Sequence, residues 1–124
     1  DPTAVFLIAA VGETPDGYAR LRWGRAGAVV PGTRLLEIAR FYVRRPWIGR
    51  RVGVALMTAC LAEARQSGCD VVWLAVWERN LRALTFYEKW GFALVGQQVC
   101  QLGSDLQRDL VMMRRLDGDA AVTA

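Results

Sequence analysis

Residues Leu35 to Glu63 read L-L-E-I-A-R-F-Y-V-R-R-P-W-I-G-R-R-V-G-V-A-L-M-T-A-C-L-A-E: a strand, an arginine-rich turn carrying glycine, then a helix. Leu35, Leu36, Ile38, Phe41, Tyr42 and Val43 favour β structure and are mostly apolar, which predicts a largely buried strand. Pro46 has no N–H to give a ladder, so the strand ends before it. From Val52 the apolar positions crowd together, with alanines at 55, 59, 62 and 64 between them. That density predicts a helix packed around most of its circumference. Gly49 and Gly53 lack a Cβ, so a phosphate could come close to the backbone. The helix begins there, and its first N–H groups have no partner inside the helix. Those donors and the positive end of the helix dipole make an anion site. Arg50 and Arg51 add forked donors suited to phosphate oxygens. The ligand inferred is a pyrophosphate-containing cofactor. The same residues, taken alone, also describe an ordinary helix N-terminus with solvated arginines. Neither a G-x-x-x-x-G-K-[ST] run nor a G-x-G-x-x-G fingerprint is present, which argues against a P-loop or a dinucleotide site of that kind.

Upstream, Val5 to Val11 is a short apolar run suited to a buried strand, and Pro15-Asp16-Gly17 is a turn signal. Tyr18 to Trp23 alternates as a strand with one wetter face, completing a hairpin. Gly24 to Gly32 is glycine-rich and reads as a loop. Downstream, the helix ends at Ser67-Gly68, where Gly68 takes a left-handed position. Val71 to Trp77, V-V-W-L-A-V-W, predicts an interior strand parallel to 35–43 across the helical crossover. Asn80 is a good N-cap for a second helix, Leu81 to Trp90, with Ala83, Phe86, Tyr87 and Trp90 on one face. Phe92 to Leu102 and Leu106 to Leu116 read as a terminal hairpin, and 117–124 as a flexible tail. The expectation is one domain over residues 1–116.

The chain has 124 residues, 53% hydrophobic, which suits a single domain with one core. No apolar run approaches the ~18–20 residues of a membrane span, and the N-terminus lacks the basic start of a secretory signal. Cys60, Cys69 and Cys100 are odd in number and widely spaced, which fits reduced thiols in the cytoplasm rather than a disulfide framework or a zinc cluster. Net charge is +4, but the arginines are spread along the chain and no nucleic-acid motif is present, so a nucleic-acid partner is not expected. With no histidine in the chain, acid–base work falls to carboxylates, Tyr, Cys or Lys. Cys60 and Cys69 read as core thiols, since no basic group is placed beside them.

Two motifs carry a family resemblance. The first is R-R-P-W-I-G-R-R-V-G between a strand and a helix. The second is N-L-R-A-L-T-F-Y-E-K-W-G-F, with Asn80, Ala83, Phe86, Tyr87, Glu88, Lys89, Gly91 and Phe92 in place. On a strand–helix–strand–helix path, they resemble the GCN5-related N-acetyltransferase (GNAT) superfamily from about Phe6 to Arg115. The ending L-G-S-D-L-Q-R-D-L-V-M-M-R is similar to bacterial branches that include polyamine acetyltransferases. The fold this implies is an α/β (α+β) one: a mixed, mostly antiparallel sheet, a central splayed parallel pair and flanking helices. Two departures stand out. Aligned on Gly53, Ile48 stands where the family usually has Gln or Arg, and Arg51 where it has a glycine. The chain also opens near the family's second strand, so the N-terminal strand and two helices of the acceptor pocket are expected to be missing, by truncation or by supply from a partner. An uncovered apolar strand at 5–11 invites association, so a homodimer is expected.

The resemblance implies acetyl-CoA as cofactor, bound where the 35–43 and 71–77 strands part. The backbone of Phe41, Tyr42 and Val43 would pair with the pantetheine arm. The N–H groups of Gly49, Arg50, Arg51, Val52, Gly53 and Val54 would hold the pyrophosphate. Asn80 would reach the pantetheine or a bridging water, cap the helix, or do both. A neutral primary amine, of a small molecule or a peptide, would attack the thioester directly. Tyr87 sits where the family places its general acid; a phenol with a pKa of ~10 is protonated at neutral pH. It also fits a plain core aromatic. Glu37, in an otherwise apolar strand, is the first candidate for the base, its pKa expected to be raised by burial; a surface-facing position is the alternative. Glu78 is the second. A contrasting reading is a catalytically silent CoA-binding module, regulatory or assembly-forming.

Overall fold

The computed structural model describes residues 4–10, 15–23, 34–44 and 52–116. Eight elements follow in order: β1 (Ala4–Ala10), β2 (Pro15–Trp23), β3 (Leu35–Val43), α1 (Val52–Gln66), β4 (Val71–Trp77), α2 (Leu81–Lys89), β5 (Ala93–Leu102) and β6 (Asp105–Arg115). The strands form one sheet in the order β1-β2-β3-β4-β6-β5. Every neighbouring pair is antiparallel except β3 and β4, which are joined through α1 and run parallel.

Both helices lie on one face of the sheet. Leu56, Met57, Cys60, Leu61 and Ala64 of α1 are buried against Leu21, Leu36, Ile38, Val72 and Leu74 of the strands, and Tyr87 of α2 joins them. Burying a Leu or Val side chain fully contributes about 1.5–3 kcal/mol, so this face holds most of the fold together. The expectation for α1 needs correction. Its buried residues make a single stripe, while Ala55, Thr58, Ala62 and Arg65 are exposed. A methyl group is small enough to sit outside at little cost, so alanines between large apolar residues overstate how much of a helix is covered. The other face of the sheet carries a smaller cluster, Leu35, Val71, Trp73, Val111 and Met113. Burial on both faces explains why β4 reads V-V-W-L-A-V-W without alternation.

Pro15 and Gly17 also depart from expectation. They belong to β2 rather than to a turn, with Pro15 opposite Ala10 and Gly17 opposite both Ala9 and Val43. Pro is tolerated at the first residue of a strand, where its missing N–H matters least. Gly17 is needed because β3 passes so close: a Cβ there would lie 2.6 Å from the carbonyl oxygen of Tyr42.

The parallel pair is clamped at its start. The Arg34 N–H donates to Asp70 Oδ1 and the Asp70 N–H to the Arg34 carbonyl, both at 2.9 Å. The Arg34 guanidinium reaches the Ser67 carbonyl at the end of α1 at 3.0 Å. Gly68 turns the chain between them with φ +75°, a left-handed position that costs residues with a Cβ.

Candidate functional site

From that clamp the two strands run together for three rungs only: Leu35 opposite Val71, Leu36 opposite Val72, Glu37 opposite Trp73. Beyond Glu37 they part. β3 stays paired with β2 as far as Val43 opposite Gly17, and β4 with β6 as far as Trp77 opposite Asp109. Each bank is therefore held from its outer side, while the inner edges face each other across a gap. Among the described residues no strand pairs with either inner edge there. Backbone N–H and C=O groups on such edges need a partner, and an extended ligand arm supplies one as an added strand would.

A bulge tunes the β3 bank. The pairing with β2 skips Ala39, passing from Ile38–Leu21 to Arg40–Arg20. The extra residue reverses which side chains face the helices. Before it, Leu36 and Ile38 point into the helix-side core; after it, Phe41 and Val43 do. Phe41 meets Phe86 and Tyr87 of α2, with ring centroids 5.6 and 6.0 Å apart. Tyr42 therefore points to the opposite face, against Tyr18 at 5.6 Å, and is about half exposed.

The start of α1 comes close to this bank. Gly53 faces Phe86 and Val43: a Cβ there would meet the Phe86 ring at 3.4 Å and Val43 Cγ2 at 3.9 Å. Val52, Gly53 and Val54 lie in the first turn, where N–H groups have no partner within the helix. Gly49, Arg50 and Arg51 lie outside the described residues. Asn80 is an N-cap, as expected: its Oδ1 accepts from the Ala83 N–H at 3.3 Å.

Tyr87 is 7% exposed and ringed edge-on by Phe41, Phe86 and Phe92. Burial pushes its hydroxyl up to about 12, helped by the nearness of Cys60. The phenol thus keeps its proton throughout the neutral range and can only donate it. Burial likewise raises Cys60 to about 12 and Cys69 above its ordinary value. Neither thiol offers a thiolate nucleophile near neutrality.

Glu37 sits on the last shared rung, on the face away from the helices. Arg22 of β2, directly opposite, holds it: Nε at 3.0 Å and Nη2 at 2.6 Å from Oε1. This partner was not foreseen from sequence. Its signal was the alternation in Y-A-R-L-R-W, whose wetter face is the one turned toward Glu37. Glu78, the other carboxylate considered, stands past the end of β4 with Oε2 3.8 Å from Arg108. Tyr87 and Glu37 therefore lie on opposite faces of the sheet, and Gly53 stands on the helix side, against Val43 and Phe86.

Comparison with known proteins gives one family. A model of the acetyltransferase (GNAT) family matches residues 1–92. An uncharacterised N-acetyltransferase of Mycobacterium tuberculosis is 34% identical over 116 residues, covering 94% of this chain and 70% of the relative. Among solved structures, nourseothricin acetyltransferase superposes with a TM-score of 0.79 at 25% identity, over 92% of this chain and 66% of that one. A PaiA N-acetyltransferase from Thermoplasma acidophilum, solved in complex with coenzyme A, superposes at 0.69 and 21% identity, over 91% of this chain and 61% of that one. The chain thus spans about two thirds of the length of these two solved structures.

Proposed function

The chain belongs to the acetyltransferase (GNAT) family, whose cofactor is acetyl-CoA, and on that premise we propose that it transfers an acetyl group to a primary amine by direct attack on the thioester. The observation that carries this reading is the gap between β3 and β4 that opens after Glu37.

The residues fit the cofactor. The inner edge of β3 at Phe41, Tyr42 and Val43 offers main-chain partners to the pantetheine amides. The amides of Val52, Gly53 and Val54 in the first turn of α1, with those of Gly49, Arg50 and Arg51 before them in sequence, would hold the pyrophosphate, favoured by the helix dipole. Asn80 caps α2 and presents its amide nitrogen to the pantetheine. Bound acetyl-CoA supplies the thioester carbonyl that the amine attacks. Tyr87 protonates the departing sulfur: its hydroxyl is neutral in the working range, and the aromatic cage keeps water from it. Glu37 takes the proton that the amine must lose before it attacks, and Arg22 fixes where that carboxylate sits.

Among the described residues the sheet ends in two outer strands, β1 and β5, each with a neighbour on one side only. Leu94 and Val99 of β5 are exposed. Such edges favour pairing with a second copy, so the active species in this reading is a homodimer. Free buried thiols at Cys60 and Cys69 suit the cytoplasm.

Calorimetric titration with CoA, followed by a thioester-consumption screen over many amines, tests the reading. Binding and turnover of at least one amine are expected. Binding without turnover would instead favour the silent CoA-binding module, and no binding would remove the cofactor site.

A further inference from the structure

Among the described residues α1, α2 and their shared core occupy the helix face of the sheet, which leaves the other face to an acceptor. Three rows of side chains line that face along β2 and β3. Arg22 and Glu37 form the row at the fork, Arg20 and Arg40 the next, and Tyr18 and Tyr42 the third. Successive rows on one face lie about 7 Å apart. The first row is neutralised by its own ion pair. The second is not. Arg20 and Arg40 are directly opposite each other on antiparallel strands, an arrangement in which like charges repel. Among the described residues neither has an ion-pair partner, and Arg40 is exposed. Across the gap at this level β4 carries Ala75, which leaves room rather than charge. Asp109, which faces the same side from β6, is engaged by Gln107 Nε2 at 2.8 Å.

We infer that the acceptor is an amine that also carries an anionic group, carboxylate or phosphate, gripped by Arg20 and Arg40 while its amine lies toward Glu37. Two forked guanidiniums facing each other on one rung suit either oxyanion. The same pair repels a polycationic acceptor such as a polyamine or an aminoglycoside. The inference rests on the transferase reading and narrows it to one acceptor class.

The test measures acetyl-CoA consumption with glutamate, an amino-sugar phosphate, spermidine and an aminoglycoside, on the wild type and on Arg20→Gln and Arg40→Gln. An anionic amine is expected to show the highest kcat/KM, and the first two amines tell carboxylate from phosphate. Each Gln variant should raise KM for that amine about tenfold, with KM for acetyl-CoA changed less than about twofold. Arg40→Lys, which keeps charge without the fork, should fall between. The ligand-free thermal midpoint of the Gln variants should hold or rise, because removing one of two facing like charges relieves repulsion. Equal or better turnover of spermidine or the aminoglycoside overturns the inference and leaves the transferase standing. So does an anionic-amine KM that ignores both substitutions. If CoA binds and no amine is turned over, the transferase reading falls and this inference falls with it.

Discussion

Tyr87 illustrates how position decides chemistry. The same hydroxyl on a surface would titrate near its ordinary value of ~10; within the aromatic cage it is held at about 12. Tyr87→Phe removes one oxygen and keeps the ring contacts. It is expected to lower kcat by about 10²–10⁴-fold, the usual scale of general-acid catalysis, with CoA affinity unchanged by titration calorimetry. An unaltered kcat would leave Tyr87 as a packing residue. Burial also has a consequence for stability. Cys60 titrates at 9.0 when exposed and about 12 when folded, and Tyr87 at 10.0 and about 12. Between those values the unfolded chain holds fewer protons than the folded one, so stability falls as pH rises. Full stability is expected below pH 9.0, with the thermal midpoint dropping from there toward pH 12. In Cys60→Ala the drop should be shallower, carried by Cys69 and Tyr87 alone.

At the scale of elements, two ends matter more than the helices' middles. Asn80 holds the first turn of α2 by accepting from the Ala83 N–H. Asn80→Ala is expected to cost about 1 kcal/mol in denaturant unfolding, and Asn80→Asp to keep the cap. If Asn80 also serves the pantetheine through its amide nitrogen, Asn80→Asp should weaken CoA binding while leaving stability intact. Gly68 lies in the link from α1 to β4 at φ +75°, beside the Arg34 guanidinium. Gly68→Ala should cost about 1–2 kcal/mol, because a Cβ disfavours that backbone region. A cost near zero would mean that the link relaxes and does not brace the clamp.

For the whole molecule, the sheet is one continuous layer with a slot in it. β1–β2–β3 and β4–β6–β5 are well-paired halves, joined by three rungs and the Arg34–Asp70 clamp. Filling the slot should brace the halves against each other. CoA at 100 times its Kd is expected to stabilise the protein by about 2.7 kcal/mol, seen as a raised thermal midpoint. Amide exchange should slow most at Phe41, Tyr42 and Val43. Protection elsewhere, with none along β3, would place the ligand outside the gap.

The order of strands and helices was legible in the sequence, because each element carried its own period and its own stop. Val71 to Trp77 had the density of an interior strand, Asn80 announced a helix, and Ser67-Gly68 ended one. The parallel pairing of 35–43 with 71–77 followed from the helix between them. Asn80 and Tyr87 could be chosen from their motif; Asn80 caps α2 and Tyr87 packs on Phe41 of β3. Tertiary structure alone decided the rest, since it concerns residues far apart in the chain. Pro15 and Gly17 signal a turn locally, yet pairing with β1 and β3 makes them strand. Glu37 looked like a lone carboxylate in an apolar strand, but the register of β2 brings Arg22 onto it. The bulge at Ala39, which sends Phe41 to the helices and Arg40 to the opposite face, leaves no mark in composition or spacing. It exists only as a mismatch between two strands, and a strand read by itself has nothing to be mismatched with.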